Sequence, residues 1–243
     1  MLGWPQGRPD TLSCMRLIAW NCCEKFSSNY AHLRELNFDV AVVAERTRIT
    51  ADALQVRGLT SSYVQPLVGA PKLLGVFAQE PWRVTAHTEI QPTAGLLPMT
   101  VTGPTSFTLL GFWGVEPKLF GSYTSQARRV IDDVLPKLAG PVVLAGDFNA
   151  PIATTAAAHT ENVRLLEERG LVSAFTATRA MGAPLEPTYY RWLRREHPFH
   201  IDHAFVPKEW ASRLSMTVGS YDDWVLPRRS DHVPLIVDVT PAA

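Results

Sequence analysis

The stretch that decides the fold is Val142-Val143-Leu144-Ala145-Gly146-Asp147-Phe148-Asn149. Its four leading apolar residues predict a buried strand, and polar side chains stand directly after that strand. The glycine before Asp147 allows the backbone to turn or to approach a ligand closely. Asp147 and Asn149 are two residues apart, so their side chains point the same way if the extended conformation persists. An Asp-x-Asn after a strand is also a common turn or helix cap, so the stretch predicts either a catalytic pair or a turn.

Two earlier apolar runs end in the same manner. Asn21 follows Leu17-Ile18-Ala19-Trp20, and Glu45 follows the continuous apolar run 40–44. An open α/β sheet presents its functional groups just beyond the ends of its strands. The pattern therefore marks Asn21 and Glu45, together with Asp147, as candidate site residues.

The rest of the chain alternates between strand-like and helix-like segments. Two strand-rich halves, each carrying helices, predict two β-sheets packed face to face with helices outside. The predicted strands are residues 15–22, 40–44, 64–68, 74–78, 84–90, 96–101, 107–115, 142–145, 171–175, 200–206, 213–218 and 233–239. The predicted helices are residues 30–36, 122–138 and 161–169.

Composition favours one globular domain in a reducing compartment. The chain has 243 residues, of which 46% are hydrophobic, and it has no composition break, so we expect one domain over residues 15–243 behind a flexible leader at 1–14. Its three cysteines lie too close together in the sequence to link distant loops by disulfide bonds. No run of residues is long and apolar enough for a signal peptide or a membrane span. We therefore expect a cytoplasmic protein. The formal net charge is zero, so overall charge gives no sign of a polyanionic partner.

Asp202 and His232 form the second candidate cluster. The alternation in residues 200–206 places His200, Asp202 and Ala204 on one face of a strand. A carboxylate inside an apolar strand is costly unless it is paired, and His232 is the candidate partner. A histidine held by a carboxylate can present a donor to an anionic phosphate. A purely structural Asp–His pair is the alternative.

The acidic residues suggest a hard cation. Glu45, Asp147 and Asp231, with the amide oxygen of Asn21, supply the oxygen ligands that Mg²⁺ or Mn²⁺ prefers. Arginines also stand beside the candidate motifs, and they indicate either phosphate contact or a solvated basic surface. These arginines are Arg46, Arg48, Arg191, Arg194, Arg195, Arg228 and Arg229.

Taken in order, these motifs resemble the endonuclease/exonuclease/phosphatase superfamily. The resemblance is carried by Trp20-Asn21, Ala44-Glu45, the run 144–149, Ile201-Asp202-His203 and Ser230-Asp231-His232, and it extends from about Met15 to the C-terminus. It implies a four-layered α/β sandwich in which two mostly antiparallel sheets are flanked by helices.

The resemblance also implies roles for the residues. Glu45 would bind the divalent metal, with Asn21 and Asp231 close by, and Asp147 would orient or deprotonate the attacking water. Asn149 would hold Asp147 or the phosphate. His232, polarised by Asp202, would stabilise the pentacovalent phosphorane.

Two positions depart from the family pattern. Trp113 stands where many nucleic-acid members carry a His or Tyr, and its indole N–H can donate a hydrogen bond but cannot act as an acid near neutral pH. It is either a wall for the substrate or part of the core. Cys23 occupies a position that is acidic or amide in some members, which argues against a second metal.

Three functions fit these observations to different degrees. The first is a metal-dependent nuclease, endo- or exonucleolytic, with bases stacking on aromatics such as Tyr189, Tyr190 and Trp192 while Arg191 holds the backbone. The second is a phosphatase or phosphodiesterase for a small phosphate ester or a lipid headgroup. The third is a non-catalytic binding module, against which the full set of acid, base and metal residues argues. We predict a hydrolase of phosphoric esters, most consistent with a nuclease, that acts as a monomer without a membrane partner.

Overall fold

The apolar runs form strands over most of the described part of the chain, which a computed structural model gives as residues 14–47, 59–64, 72–150 and 157–240. The strands are β1 (Met15–Asn21), β2 (Val40–Arg46), β3 (Thr60–Val64), β4 (Leu73–Ala78), β5 (Arg83–Ala86), β6 (Leu96–Thr102), β7 (Phe107–Trp113), β8 (Val142–Asp147), β9 (Leu171–Ser173), β10 (Tyr189–Tyr190), β11 (Pro198–Phe199), β12 (Asp202–Pro207), β13 (Leu214–Val218) and β14 (Leu235–Val239).

These strands form two six-stranded sheets and one small hairpin sheet. The first sheet has the order β13-β14-β1-β2-β4-β3, the second has the order β5-β6-β7-β8-β12-β9, and β10 pairs with β11. In the described sheets, β1 runs parallel to β2 and β7 runs parallel to β8, while the other neighbours are antiparallel. The predicted pair of mostly antiparallel sheets is confirmed.

Alternate residues along the central strands are buried on opposite faces, which produces four layers. On β8, Val143 and Ala145 pack into the core between the sheets, whereas Leu144 packs into an outer core beneath the helices. On β2, Val42 joins the central core and Val43 joins a second outer core. Side chains alternate across a strand, so a strand buried on both faces has a continuous apolar sequence.

The helices cover the two outer faces. They are α1 (Phe26–Glu35), α2 (Pro117–Phe120), α3 (Tyr123–Arg129), α4 (Ala157–Glu168), α5 (Ala174–Thr178) and α6 (Tyr221–Trp224), with 3-10 turns at Arg191–Leu193 and Lys208–Arg213. Within the described ranges, no helix combines the length and the apolar character that crossing a membrane requires.

The long predicted helix at 122–138 is not one regular α-helix. Ser122 caps α3, since its side chain accepts from the backbone N of Ser125 at 3.2 Å. After α3 the chain continues as a π-helical turn (Val130–Val134) and then a 3-10 turn (Leu135–Lys137). Pro136 has no N–H, and its ring clashes with the carbonyl four residues earlier, so regular α-helical bonding cannot continue through it.

Several predicted strand ends are wrong for local reasons. The strand predicted at 171–175 stops at Ser173, whose side chain accepts from the N of Thr176 at 3.4 Å and so caps α5. The strand predicted at 84–90 stops at Ala86, because Nδ1 of His87 accepts from the N of Glu89 and of Ile90 and turns the chain. The strand predicted at 64–68 and the leader predicted at 1–14 lie outside the described residues, apart from Val64 and Cys14.

Candidate functional site

The polar residues predicted from strand ends meet at one edge of the sandwich, where strand ends from the two facing sheets lie close together. Asn21 ends β1 and Asp147 ends β8, so the two belong to different sheets. Asp202 opens β12, which runs antiparallel to β8 with Asp202 directly opposite Asp147. Strand pairing therefore brings these two carboxylates together.

Asp147 is buried and held by two asparagines. Its Oδ2 accepts from Nδ2 of Asn21 at 2.9 Å and from Nδ2 of Asn149 at 3.2 Å, while its Oδ1 accepts from the backbone N of Asn149 at 2.8 Å. Burial, followed by the negative charge of Asp202, raises the pKa of Asp147 to about 7 despite these donors. A carboxyl group with a pKa near neutral pH is suited to accept a proton from water.

Asn149 reaches Asp147 by a turn and not by strand alternation. Its φ is 51°, in the left-handed region, and its Nδ2 also donates to the carbonyl of Gly114 at 3.0 Å. The extended conformation on which the predicted side-chain alignment was conditional does not persist, because the strand ends at Asp147. The turn at Asn149 nevertheless brings the two side chains into contact. Asparagine tolerates the left-handed region better than most residues do.

Gly146 permits a close approach, but the backbone it meets is that of the neighbouring strand. Its φ is 143°, and a Cβ placed there would lie 1.9 Å from the carbonyl oxygen of Phe112 on β7. A side chain at this position would push β7 and β8 apart next to Asp147. The glycine therefore contributes to the site through packing.

His232 and Asp202 form a buried pair. Nδ1 of His232 lies 2.8 Å from Oδ2 of Asp202, and both side chains are almost fully enclosed. Burial opposes the charged imidazolium, but the carboxylates of Asp202, Asp147 and Asp231 outweigh it and raise the pKa of His232 to about 10. Because Nδ1 faces Asp202, Nε2 is the nitrogen able to donate to a phosphate oxygen.

Two hydroxyl groups fix this pair, and the sequence analysis assigned neither of them a role. Ser230 Oγ donates to the carbonyl of Asn21 at 2.7 Å and accepts from the backbone N of His232 at 3.0 Å. Thr188 Oγ1 accepts from the backbone N of Asp202 at 3.0 Å. Ser230 belongs to the motif Ser230-Asp231-His232 and could have been found from it, whereas no sequence motif contains Thr188.

Glu45 lies at a distortion of β2. Its φ is 53°, and the pairing of β2 with β4 shifts register between Val43 and Arg46. The carboxylate of Glu45 contacts Nζ of Lys72 at 2.8 Å, and the same ammonium lies 3.1 Å from Glu24. A bulge of this kind re-aims a side chain.

Asp231 belongs to the same acidic region. Burial, followed by the charges of Asp231 and Glu45, raises the pKa of the half-buried Cys23 thiol to about 11, so both carboxylates lie near that thiol. The amide of Asn21 adjoins them, and its Oδ1 accepts from the backbone N of Cys23 at 2.9 Å. This set of oxygen donors, which already attracts an ammonium at Glu45, fits a hard divalent cation.

A tighter group of possible ligands exists among the described residues. Ligand atoms of Asp147, Asp202 and His232 all lie within 4.8 Å of one another. His232 Nδ1 already faces Asp202, however, and both oxygens of Asp147 accept hydrogen bonds from Asn21 and Asn149. The ligand atoms of this group are therefore already engaged with one another and with the two asparagines.

Two of the predicted site residues, Trp113 and Arg46, are buried in the interior. Trp113 is opposite Asp147 in the β7–β8 pairing, but its side chain is only 8% exposed and belongs to the core between the sheets. Arg46 was grouped with the phosphate-binding arginines, yet it is fully buried, with its guanidinium 5.9 Å from the ring centre of Phe26 and 5.4 Å from that of Phe77. A guanidinium buried in this way cannot contact a phosphate, so the prediction for Arg46 is wrong. Arg48 lies outside the described residues.

His200 is also displaced from its predicted face. Strand β12 begins at Asp202, and the His200 ring packs at 5.1 Å from the ring of His203, on the face opposite Asp202. Because His200 precedes the strand, strand alternation does not govern its direction.

The hairpin β10–β11 forms a wall beside His232. The Tyr189 ring lies 4.6 Å from that of His232, and the backbone N of Tyr190 donates to the carbonyl of Asp231 at 2.8 Å. At the hairpin tip Trp192 is 63% exposed, with the guanidinium of Arg191 4.3 Å from its ring centre. An exposed indole in contact with a guanidinium therefore lies at the tip of the hairpin whose Tyr189 contacts His232.

Comparison with known proteins gives one family and a consistent fold. The sequence model of the Endonuclease/Exonuclease/phosphatase family matches residues 31–232. No curated protein sequence matches this chain significantly.

Solved structures match over nearly the whole chain. The 3' phosphatase NExo from Neisseria, bound to product DNA hairpin, has a TM-score of 0.70 at 17% identity, covering 93% of this chain and 100% of its own. An AP endonuclease from Archaeoglobus fulgidus has a TM-score of 0.73 at 13% identity, covering 92% and 98%. Truncated Caenorhabditis elegans TDP2 has a TM-score of 0.66 at 13% identity, covering 94% and 98%. The likeness shows a shared fold.

Proposed function

The chain belongs to the endonuclease/exonuclease/phosphatase family, and on that premise we propose that it is a metal-dependent hydrolase of phosphodiester bonds in nucleic acid. The observation that carries the proposal is the buried His232–Asp202 pair, whose ligand atoms lie within 4.8 Å of the carboxylate of Asp147. An imidazolium donor and a carboxylate acceptor held this close together can act on one phosphoryl group.

In the proposed reaction, Asp147 accepts the proton of the attacking water. The water oxygen forms a bond to phosphorus and the ester P–O bond breaks. The leaving oxygen takes a proton from solvent and Asp147 returns its proton to solvent, so the products are a phosphate monoester and a hydroxyl group. Asn21 and Asn149 keep the Asp147 carboxylate in one orientation. Fixed orientation matters because correct placement of the reacting groups removes an entropic cost from the step.

His232 stabilises the negative charge that develops on the phosphoryl oxygens. Its Nδ1 is held by Asp202, which fixes the ring and leaves Nε2–H as the donor. Oδ1 of Asp202 has no hydrogen-bond partner among the described residues, and an unsatisfied buried acceptor is typical of a functional centre. When bound by Glu45, Asp231 and the Asn21 amide oxygen, a divalent cation such as Mg²⁺ or Mn²⁺ would neutralise phosphate charge.

The hairpin tip supports nucleic acid as the substrate. Trp192 offers an exposed aromatic face, and the guanidinium of Arg191 provides a charge that can pair with a phosphate. A small phosphate ester would reach His232 without contacting this tip. The alternative function, a phosphatase or phosphodiesterase for a small ester, is favoured by the zero net charge of the chain.

A substrate panel with Mg²⁺ or Mn²⁺ tests the proposal. It should contain plasmid, abasic duplex, single-stranded DNA, RNA, bis-p-nitrophenyl phosphate and inositol phosphates. We expect nucleic acid to be cleaved and Trp192→Ala to raise KM several-fold for an oligonucleotide, with no change for bis-p-nitrophenyl phosphate. Turnover of small esters alone would reject a nuclease, and full activity after exhaustive EDTA treatment and dialysis would reject a cation at Glu45.

A further inference from the structure

We propose that Lys72 competes with the divalent cation for Glu45 and so sets the cation concentration that the enzyme requires. The inference rests on the proposed function, because it concerns the cation of that same site. Nζ of Lys72 lies 2.8 Å from Oε2 of Glu45 and 3.1 Å from Oε1 of Glu24. A positively charged group therefore already contacts the carboxylate assigned to the metal.

The backbone holds these groups together. Lys72 directly precedes β4, and Leu73 pairs with Arg46 at the end of β2, so Lys72 and Glu45 sit at one end of neighbouring strands. Glu24 is fixed from the other side, since its backbone N donates to the carbonyl of Glu45 at 2.8 Å. The contact therefore follows from strand register and not only from the free rotation of a long side chain.

One carboxylate oxygen cannot contact both an ammonium and a divalent cation without strong repulsion between the two cations. Like charges about 4 Å apart repel measurably even in a partly hydrated environment. Lys72 must therefore move away from Glu45 when the cation binds. Its flexible four-carbon stem allows this movement, and the half-exposed carboxylate of Glu24 remains as a partner outside the metal site.

The test measures Mn²⁺ binding in the absence of substrate. Binding is monitored as the loss of the free Mn²⁺ signal in electron paramagnetic resonance. Lys72→Met removes the charge and keeps the length of the side chain, so we expect about tenfold tighter binding of Mn²⁺. Lys72→Arg retains the charge and should bind Mn²⁺ no more tightly than the wild type. Thermal melting of each variant shows that the fold is intact.

Lys25 provides a matched control. Its Nζ donates to the carbonyl of Arg228 at 2.8 Å, so Lys25→Met removes a nearby positive charge that does not contact Glu45. We expect Mn²⁺ affinity within about twofold of the wild type, since a more distant and solvated charge is screened. An equal increase in Mn²⁺ affinity in Lys25→Met and Lys72→Met would overturn the inference, because the loss of any nearby positive charge would then explain both.

The remaining outcomes separate the inference from the proposed function. Unchanged or weaker Mn²⁺ binding in Lys72→Met overturns the role of Lys72, even if the enzyme hydrolyses nucleic acid. Retention of wild-type Mn²⁺ affinity in Glu45→Gln also overturns it, because the cation would then not use Glu45. Tighter binding in Lys72→Met by a chain that hydrolyses nothing in the panel would support competition and reject the nuclease.

Discussion

Asp202 and His203 are neighbours on β12, and the histidines on the two faces of that strand have pKa values shifted in opposite directions. On the face of Asp202, the pKa of His232 is raised to about 10 by nearby carboxylates, although burial opposes the charge. On the other face His203 stacks between His159 and His200, at ring distances of 5.2 and 5.1 Å. Burial lowers the pKa of all three histidines in this stack.

The difference teaches that burial alone does not decide the charge of a histidine. Asp202 contacts His232 at 2.8 Å, whereas His203 Nε2 faces the carbonyl of Ala150 at 2.9 Å. A carboxylate favours the imidazolium strongly enough to offset desolvation, and a neutral carbonyl does not. One strand therefore separates a histidine whose pKa is raised from a stack of histidines whose pKa values are lowered.

Replacing Asp202 by asparagine should produce the larger change, because it removes the charge that distinguishes the two faces. We expect kcat to fall by about a hundredfold to ten-thousandfold, since His232 loses the partner that fixes its ring and its proton. Steady-state turnover of the best panel substrate measures this. Asp238→Asn is the matched control, because Asp238 pairs with Arg16 at 2.7 Å and has no contact with the site. Equal losses in both variants would mean that Asp202 acts only through stability.

The histidine stack should make the fold sensitive to acid. His159 has its pKa lowered to about 4, whereas an unfolded histidine titrates near ~6.5. Between these values the unfolded chain binds a proton that the folded chain does not. The free energy of unfolding therefore falls as the pH drops, by about 1.4 kcal/mol per pH unit for this group.

His159→Phe keeps an aromatic ring against Phe148 and removes this titration, so we expect a flatter loss of stability between about pH 6.5 and 4. Urea unfolding at several pH values measures the slope. His32→Phe on α1 is the control and should retain the wild-type slope. A slope in His159→Phe identical to that of the wild type would show that the stack does not titrate as described.

The sequence predicted the two-sheet layers better than the local geometry of the chain. Continuous apolar runs such as β2 and β8 identify strands buried on both faces, and polar residues at their ends identify the edge that carries the site. The helix predicted at 122–138 ran through Pro136, where regular α-helical bonding cannot continue, and the π-helical turn before it depends on packing that spacing does not encode.

Other features depend on contacts between distant segments. Lys72 meets Glu45 through the register of two strands and a bulge, and no motif contains both residues. Arg46 stands next to Glu45 in the sequence but is buried, with its guanidinium near the rings of Phe26 and Phe77. Trp113 could be a wall or core in the sequence, and only its position between the sheets places it in the core.

The most direct test of the account is Mg²⁺-dependent hydrolysis of an oligonucleotide by the wild type, Asp147→Ala and His232→Ala, with melting curves recorded alongside. The account predicts turnover by the wild type and a loss of about a thousandfold or more in each variant, with the fold retained. Near-normal turnover in either folded variant would contradict it.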